Sequence, residues 1–96
     1  MKFQITTKNV ELTDGLKDYI QKRLSGLERY SNHIMDGEII FEEIRGRYKI
    51  EVILRVKGTT LTAAGQSKDP REAVDKVKDK IKVQLRKYEE KMKSFR

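Results

Sequence analysis

Cysteine is absent from the chain, and with it go disulfide cross-links, a thiol nucleophile and any thiolate metal site. That usage suits a reducing compartment, so the cytoplasm is the expected location. Tryptophan is absent too, and proline and histidine occur once each. His33 has no second histidine or cysteine to share a metal and no Ser or Cys nucleophile motif to serve, so a structural or surface histidine is expected. Nowhere do 18 apolar residues run together, and Met1-Lys2-Phe3-Gln4-Ile5 alternates like a strand instead of forming a signal-peptide core. A membrane partner is therefore not expected. No glycine cluster follows a strand and opens a helix, which excludes the phosphate-cradling loops. No repeat, low-complexity tract or Gly/Ser linker appears, so residues 1–96 read as a single domain.

Carboxylates are present but poorly placed for catalysis. Glu42 and Glu43 are adjacent in a strand-like run, so they point to opposite faces and cannot flank one bond as acid and base. Asp75 and Asp79 stand four apart on a helix, yet Lys76, Lys78, Lys80 and Lys82 surround them, which makes them ion-pair partners more readily than ligands of a hard cation. Neither enzymatic activity nor a cofactor, metal or small-molecule substrate is expected.

What the chain has in excess is positive charge. Twenty-two Lys and Arg face fifteen Asp and Glu, for a net charge of +7 with 39% of residues charged. Residues 1–35, 36–68 and 69–96 carry +2, +1 and +4 respectively. More than half of the excess thus falls on the last 28 residues, and the hydrophobic content of 36% allows one thin core.

That last segment reads as one helix over 69–96. Asp69 can cap it, Pro70 sits where a missing N–H costs nothing, and Glu72 has capping-box spacing. Val74, Val77, Ile81, Leu85, Tyr88, Met92 and Phe95 fall in one stripe roughly 80° wide. At 1.5 Å per residue the helix would span about 42 Å, so its last turns are expected to project. Lys76, Lys80, Lys87 and Lys91 share a sector of about 60° with no acidic side chain pointing into it. A second line, Lys78, Lys82, Arg86 and Lys93, is interleaved with Asp75, Asp79 and Glu89 and resembles a solvated, ion-paired face. Periodicity alone leaves two readings of the first sector, a solvated face and a polyanion-binding ridge.

The remainder supplies a sheet and one more helix. Phe3, Ile5 and Thr7 alternate with Lys2, Gln4 and Thr6 as a first strand. Thr13 caps a helix whose apolar face is Leu16, Tyr19, Ile20, Leu24 and Leu27 and which runs to about Arg29. Residues 31–37 read as a loop, and 38–44 and the alternation of Ile50, Val52, Leu54 and Val56 as strands joined at Arg45-Gly46-Arg47. After Lys57-Gly58-Thr59, residues 60–65 give a short strand whose Ala63, Ala64 and Gly65 would let a helix approach closely. The predicted class is α+β: β-α-β-β-β-α, a four-stranded sheet with two helices packed on one face, an arrangement similar to a double-stranded RNA-binding domain.

In that order, Val10-Glu11-Leu12-Thr13 leading into the first helix, Leu27-Glu28-Arg29-Tyr30 leaving it, and Asp69-Pro70-Arg71-Glu72-Ala73-Val74-Asp75 running on to Asp79-Lys80-Ile81-Lys82-Val83-Gln84-Leu85-Arg86-Lys87 resemble the bacterial ribosome hibernation promoting factor and protein Y family over essentially the whole chain. The resemblance implies a stress or stationary-phase translation inhibitor. Such a protein binds the small (30S) ribosomal subunit and its 16S rRNA, lying in the messenger RNA channel across the tRNA sites, with 70S and 100S ribosomes as further assemblies. It also implies rRNA contacts at Arg23 on the first helix and at Lys80, Lys87 and Lys91 on the second, to which the shared lysine sector adds Lys76. Pro70 and Arg71 stand where the family usually has Met-Tyr, Val83 where it has arginine, and Gly26 and Glu89 where lysine is common. Lys22, Lys82 and Arg86, beside the altered positions or one turn away, are expected to compensate. Long members of the family continue through a linker into a domain that pairs ribosomes.

Two other readings fit the same residues: a generic double-stranded RNA module, and a protein-interaction domain using strand edges. The charges Glu42, Glu43, Lys49, Glu51 and Arg55 argue against the second, on the expectation that they blunt those edges.

Overall fold

The computed structural model describes residues 3–93. Its elements follow the predicted order: β1 (Phe3–Lys8), α1 (Asp14–Leu24), β2 (Ile34–Ile44), β3 (Arg47–Val56), β4 (Thr59–Ser67) and α2 (Pro70–Lys93). The sheet has the order β1-β2-β3-β4, with β1 parallel to β2 and the other pairs antiparallel. A parallel pair needs a crossover, and α1 provides it. The helices cover one face only. Register sets the buried rows: Ile5 lies beside Ile39, Ile39 beside Val52 and Val52 beside Ala63, while Thr7, Phe41, Ile50 and Gly65 form the next row. Ile39, Phe41, Ile50, Val52 and Leu54 meet Ile20 and Leu24 of α1 and Val74, Val77, Ile81 and Leu85 of α2 in a single core.

Several boundaries differ from the sequence expectation. The first helix is α-helical only to Leu24 and continues as a 3₁₀ helix over Ser25–Tyr30. Leu24, Leu27 and Tyr30 are all buried and stand three apart, the repeat of a 3₁₀ turn, while the Ser25 hydroxyl donates to the Lys22 carbonyl at 2.6 Å. The loop expected over 31–37 is shorter. Strand β2 begins at Ile34, and an irregularity between Ile34 and Asp36 leaves Met35 73% exposed. Strand β4 is longer than 60–65. The β2–β3 turn has both Arg45 (φ 50°) and Gly46 (φ 78°) left-handed, the backbone of a type I′ hairpin.

The charged strands were also misplaced by sequence reasoning. Glu42, Glu43, Lys49, Glu51 and Arg55 lie on β2 and β3, which are the two central strands, so they blunt no edge. The edges are β1 and β4, and β4 carries no charged residue at all.

Helix α2 starts as expected at Asp69, whose carboxylate accepts the Arg71 amide at 2.9 Å and whose carbonyl accepts the Ala73 amide. The reciprocal half of the capping box is replaced. The Asp69 amide donates to Ser67 Oγ at 3.1 Å, and Glu72 turns instead to Lys76. Val74, Val77, Ile81 and Leu85 are fully buried, Tyr88 nearly so, and Met92 is 38% exposed. Lys2, Phe95 and the last three positions of the 69–96 helix lie outside the described residues. The molecule is 47 Å long and about 20 Å across, and beyond Tyr88, whose hydroxyl donates to the Lys57 carbonyl at 2.6 Å, the exposed Lys91, Met92 and Lys93 carry the helix past the end of β4.

The close approach expected of small residues occurs at Gly65. A Cβ there would lie 2.5 Å from the Ala73 carbonyl oxygen and 2.9 Å from the Val77 nitrogen, both backbone atoms that cannot swing aside. Gly65→Ala is therefore expected to lower stability by about 1–3 kcal/mol. By contrast Gly15, in α1 with nothing within 4 Å of an added Cβ, should gain roughly 0.5–1 kcal/mol on substitution by alanine. Urea midpoints of the two variants moving in opposite directions test both statements.

Candidate nucleic-acid interface

The basic residues of α2 occupy two flanks of the helix. Asp75 marks one, because its carboxylate reaches Arg23 and Tyr19 of α1; by the 100° step, Lys82 and Arg86 share that sector. Lys76 and Lys80 mark the other, lying against β4. The two lines are thus separate, one beside α1 and one beside the sheet edge. Glu72, Asp79, Val83 and Glu90 occupy the sector between them.

The lysines on the β4 side are not equivalent. Lys76 Nζ donates to the Gln66 carbonyl at 3.1 Å and lies 3.3 Å from Glu72, so an acidic side chain does enter the sector predicted to be free of them. At i−4, Glu72 is one helical turn away, close enough for a side chain pointing off-axis to reach back. Lys80 Nζ donates to the Ala64 carbonyl at 3.0 Å. Lys87 and Lys91 are exposed farther along. Among the described residues, no hydrogen bond or ion pair engages the ammonium or guanidinium groups of Lys22, Lys82, Arg86 or Lys87. The interleaved line is ion-paired at Lys78 with Asp79 (3.4 Å) and at Lys93 with Glu89 (3.8 Å). His33 packs edge-on against Tyr88 and faces Glu89 at 3.6 Å. No group of three His, Cys, Asp or Glu side chains suited to a metal forms among the described residues, and no helix there is long and apolar enough to cross a membrane.

Between the helices sits a cluster that sequence reasoning did not assemble. Arg23 Nε meets Asp75 Oδ1 at 2.8 Å, and the Tyr19 hydroxyl donates to the same carboxylate at 2.9 Å. The guanidinium groups of Arg23 and Arg71 lie 5.8 and 5.4 Å from the centre of the Tyr19 ring, within cation–π range. Tyr19 was legible only as part of an apolar face, and Arg71 only as a departure from the family pattern. The bridge fixes Arg23 at the junction of the two helices with its side chain 40% exposed.

Charge coupling in the cluster shifts all three groups. Donation to Asp75 is the main cause of a raised Tyr19 hydroxyl, and partial burial adds to it. The Arg23 guanidinium is pushed up by its hydrogen bond to Asp75. For Asp75 burial is the largest influence and acts upward, but the bonds from Tyr19 and Arg23 and the charges of Arg23 and Lys78 together outweigh it and hold the carboxyl below its ordinary value. A carboxylate depressed on folding contributes stability that is complete above its unfolded value of about 3.9 and is lost as pH falls through the lower folded value. Asp75→Asn should therefore melt at a lower temperature than the native chain at pH 7, and the gap should close below about pH 4. A gap that stays constant from pH 7 to pH 3 would show that the carboxylate's charge is not what holds the helices.

With this geometry in view, comparison with known proteins is direct. Residues 3–93 match the family described as Sigma 54 modulation protein / S30EA ribosomal protein. A ribosome hibernation promoting factor of Azotobacter vinelandii is 33% identical over 91 residues, covering 95% of this chain and 85% of that protein. A ribosome hibernation promotion factor of Deinococcus radiodurans is also 33% identical over 91 residues, but there the match covers 48% of the longer relative. Among solved structures, a ribosomal subunit interface protein from Coxiella burnetii superposes with a TM-score of 0.86 at 26% identity, over 93% of this chain and 98% of that one. The N-terminal domain of protein Y from Thermus thermophilus shares the fold, with a TM-score of 0.81 at 21% identity, over 92% and 99% of the two chains. The chain belongs to the Sigma 54 modulation protein / S30EA ribosomal protein family, which includes the ribosome hibernation promoting factors.

Proposed function

We propose that this chain is a ribosome-associated hibernation factor that binds the small ribosomal subunit through its two helices. There it occupies the channel that messenger RNA and tRNA would use. The observation that carries the reading is family membership over residues 3–93, joined to a helical side of the molecule that bears Lys22, Arg23, Lys82 and Arg86 on one flank of α2 and Lys87 and Lys91 on the other. Lys76 and Lys80 extend the basic surface along β4.

The mechanism needs no base-edge reading. Folded ribosomal RNA offers a fixed pattern of phosphates, and lysine and arginine on a helix of defined pitch match that pattern by position. Arg23 is suited to an ordered contact because Asp75 holds its orientation, while the lysines are flexible point charges that tolerate small mismatches. Inhibition is then steric. A wedge 47 Å long and about 20 Å across excludes other ligands by filling their path, with no chemical step.

Co-sedimentation with purified small subunits tests the reading, using vacant subunits and subunits preloaded with messenger and tRNA. Binding to vacant subunits should be abolished by preloading. Its log–log salt slope should be roughly −2.8 to −3.6 if about four phosphates are engaged, at 0.7 to 0.9 per phosphate. Replacing Lys82 and Arg86 by alanine should flatten that slope by roughly 1.4–1.8. Equal binding to preloaded subunits, or to any long RNA duplex, would replace this reading by a generic RNA-binding module.

A further inference from the structure

We propose that Lys76, Lys80 and Gln84 lock an otherwise open sheet edge, and that without them β4 pairs with β4 of a second copy of this chain. The proposal is independent of ribosome binding. Strand β4 is an edge of nine residues in unbroken register with β3, and it contains no proline, no charge and no bulge. Those are the devices by which edge strands usually resist pairing, and a long edge lacking them is a template for another strand. In β4 the alternate residues Thr60, Thr62, Ala64 and Gln66 turn their backbone groups away from β3, leaving a row of outward carbonyls.

Helix α2 covers that row. Lys76 Nζ donates to the Gln66 carbonyl, Lys80 Nζ to the Ala64 carbonyl, and Gln84 Nε2 to the Thr62 carbonyl. The spacing explains why one helix serves three acceptors. Every second residue of a strand advances by about 6.8 Å and every fourth residue of a helix by about 6 Å, so an i, i+4, i+8 series on α2 keeps step with an i, i−2, i−4 series on β4. Each helical step of four also rotates by about 40°, so the series begins at exposed Lys76 and turns inward until Tyr88 is buried and donates to the Lys57 carbonyl. Any incoming strand must displace these donors before it can use the carbonyls.

A second copy fits the uncovered edge. A two-fold antiparallel pairing centred on Ala64 sets Ala64 against Ala64 and Thr62 against Gln66, which opposes no like charges and demands no large side chain at the seam.

Sedimentation equilibrium of K76A/K80A/Q84A against the native chain tests this. The triple variant should self-associate on the order of tenfold more strongly or better, because three competing donors are gone. Adding Thr62→Pro, which deletes an outward amide without touching the β3–β4 ladder, should return it to the native level. K76R/K80R, which keeps both donors, should stay at the native level. If the triple variant keeps its far-UV spectrum but associates no more than the native chain, or if its dimer survives Thr62→Pro, the proposal is wrong. Should the triple variant fail to fold, Lys80→Ala alone is measured in the same way. An association about threefold tighter supports the lock and an unchanged one overturns it.

Discussion

Helix α2 rests on β4 backbone to backbone at Gly65, and most of the remaining structure follows from that one close approach. With Ala73 and Val77 seated against a residue that has no side chain, the helix axis is drawn near enough to the strand for lysine and glutamine side chains to reach back to its carbonyls. The same proximity buries Val74, Val77, Ile81 and Leu85 completely. At roughly 1.5–3 kcal/mol for each fully buried aliphatic side chain, this stripe is a large part of what a domain of this size has to offset its conformational entropy. Helix α1 is tied in partly through α2, because the Tyr19–Asp75–Arg23 cluster joins the helices above the core.

A helix this rich in lysine is tolerable because its charge is partitioned. On one flank Lys76 and Lys80 are partly satisfied by carbonyl dipoles, on the other Asp75 offsets Arg23, and Lys78 and Lys93 meet neighbouring acids. Among the described residues, Lys22, Lys82, Arg86 and Lys87 are helix cations with no internal hydrogen bond or ion pair, groups that a polyanion could engage without first breaking an internal contact. Surface pairs of this kind contribute little to stability in water, so their main effect is to sort the cations into those already committed and those available.

Much of this was legible in the sequence, and the failures share a cause. Element order, the Thr13 and Asp69 caps, the α2 stripe and the small-residue approach at Ala63-Ala64-Gly65 all follow from local periodicity and side-chain size. Strand order does not. Without it the central strands β2 and β3 were mistaken for edges, and the regular spacing of Lys76, Lys80, Gln84 and Tyr88 carried no meaning, since the carbonyls it matches lie on another element. A wheel drawn on α2 alone likewise placed Glu72 outside the lysine sector, because it measures Cα directions and not the reach of a flexible carboxylate. The change from α to 3₁₀ at Ser25 was present in the three-residue spacing of Leu24, Leu27 and Tyr30, but a run of only three such positions is too short to separate from a helical pattern.

Register also settles what the other face of the molecule presents. The rows across the uncovered side of the sheet read Gln4, Glu38, Ile53, Thr62, then Thr6, Ile40, Glu51, Ala64, then Lys8, Glu42, Lys49, Gln66, with Asp36 bonded to Arg55 at the end. With Arg47 beside Ile44 on the same side, four carboxylates there face four cations, whereas the excess positive charge of the chain is concentrated on α2. A polyanion is consequently attracted to the helical side and gains little from the sheet side. The fold thus gives the net charge a direction, and a long, narrow body with a charge gradient across its short axis would turn its helices toward a polyanionic surface.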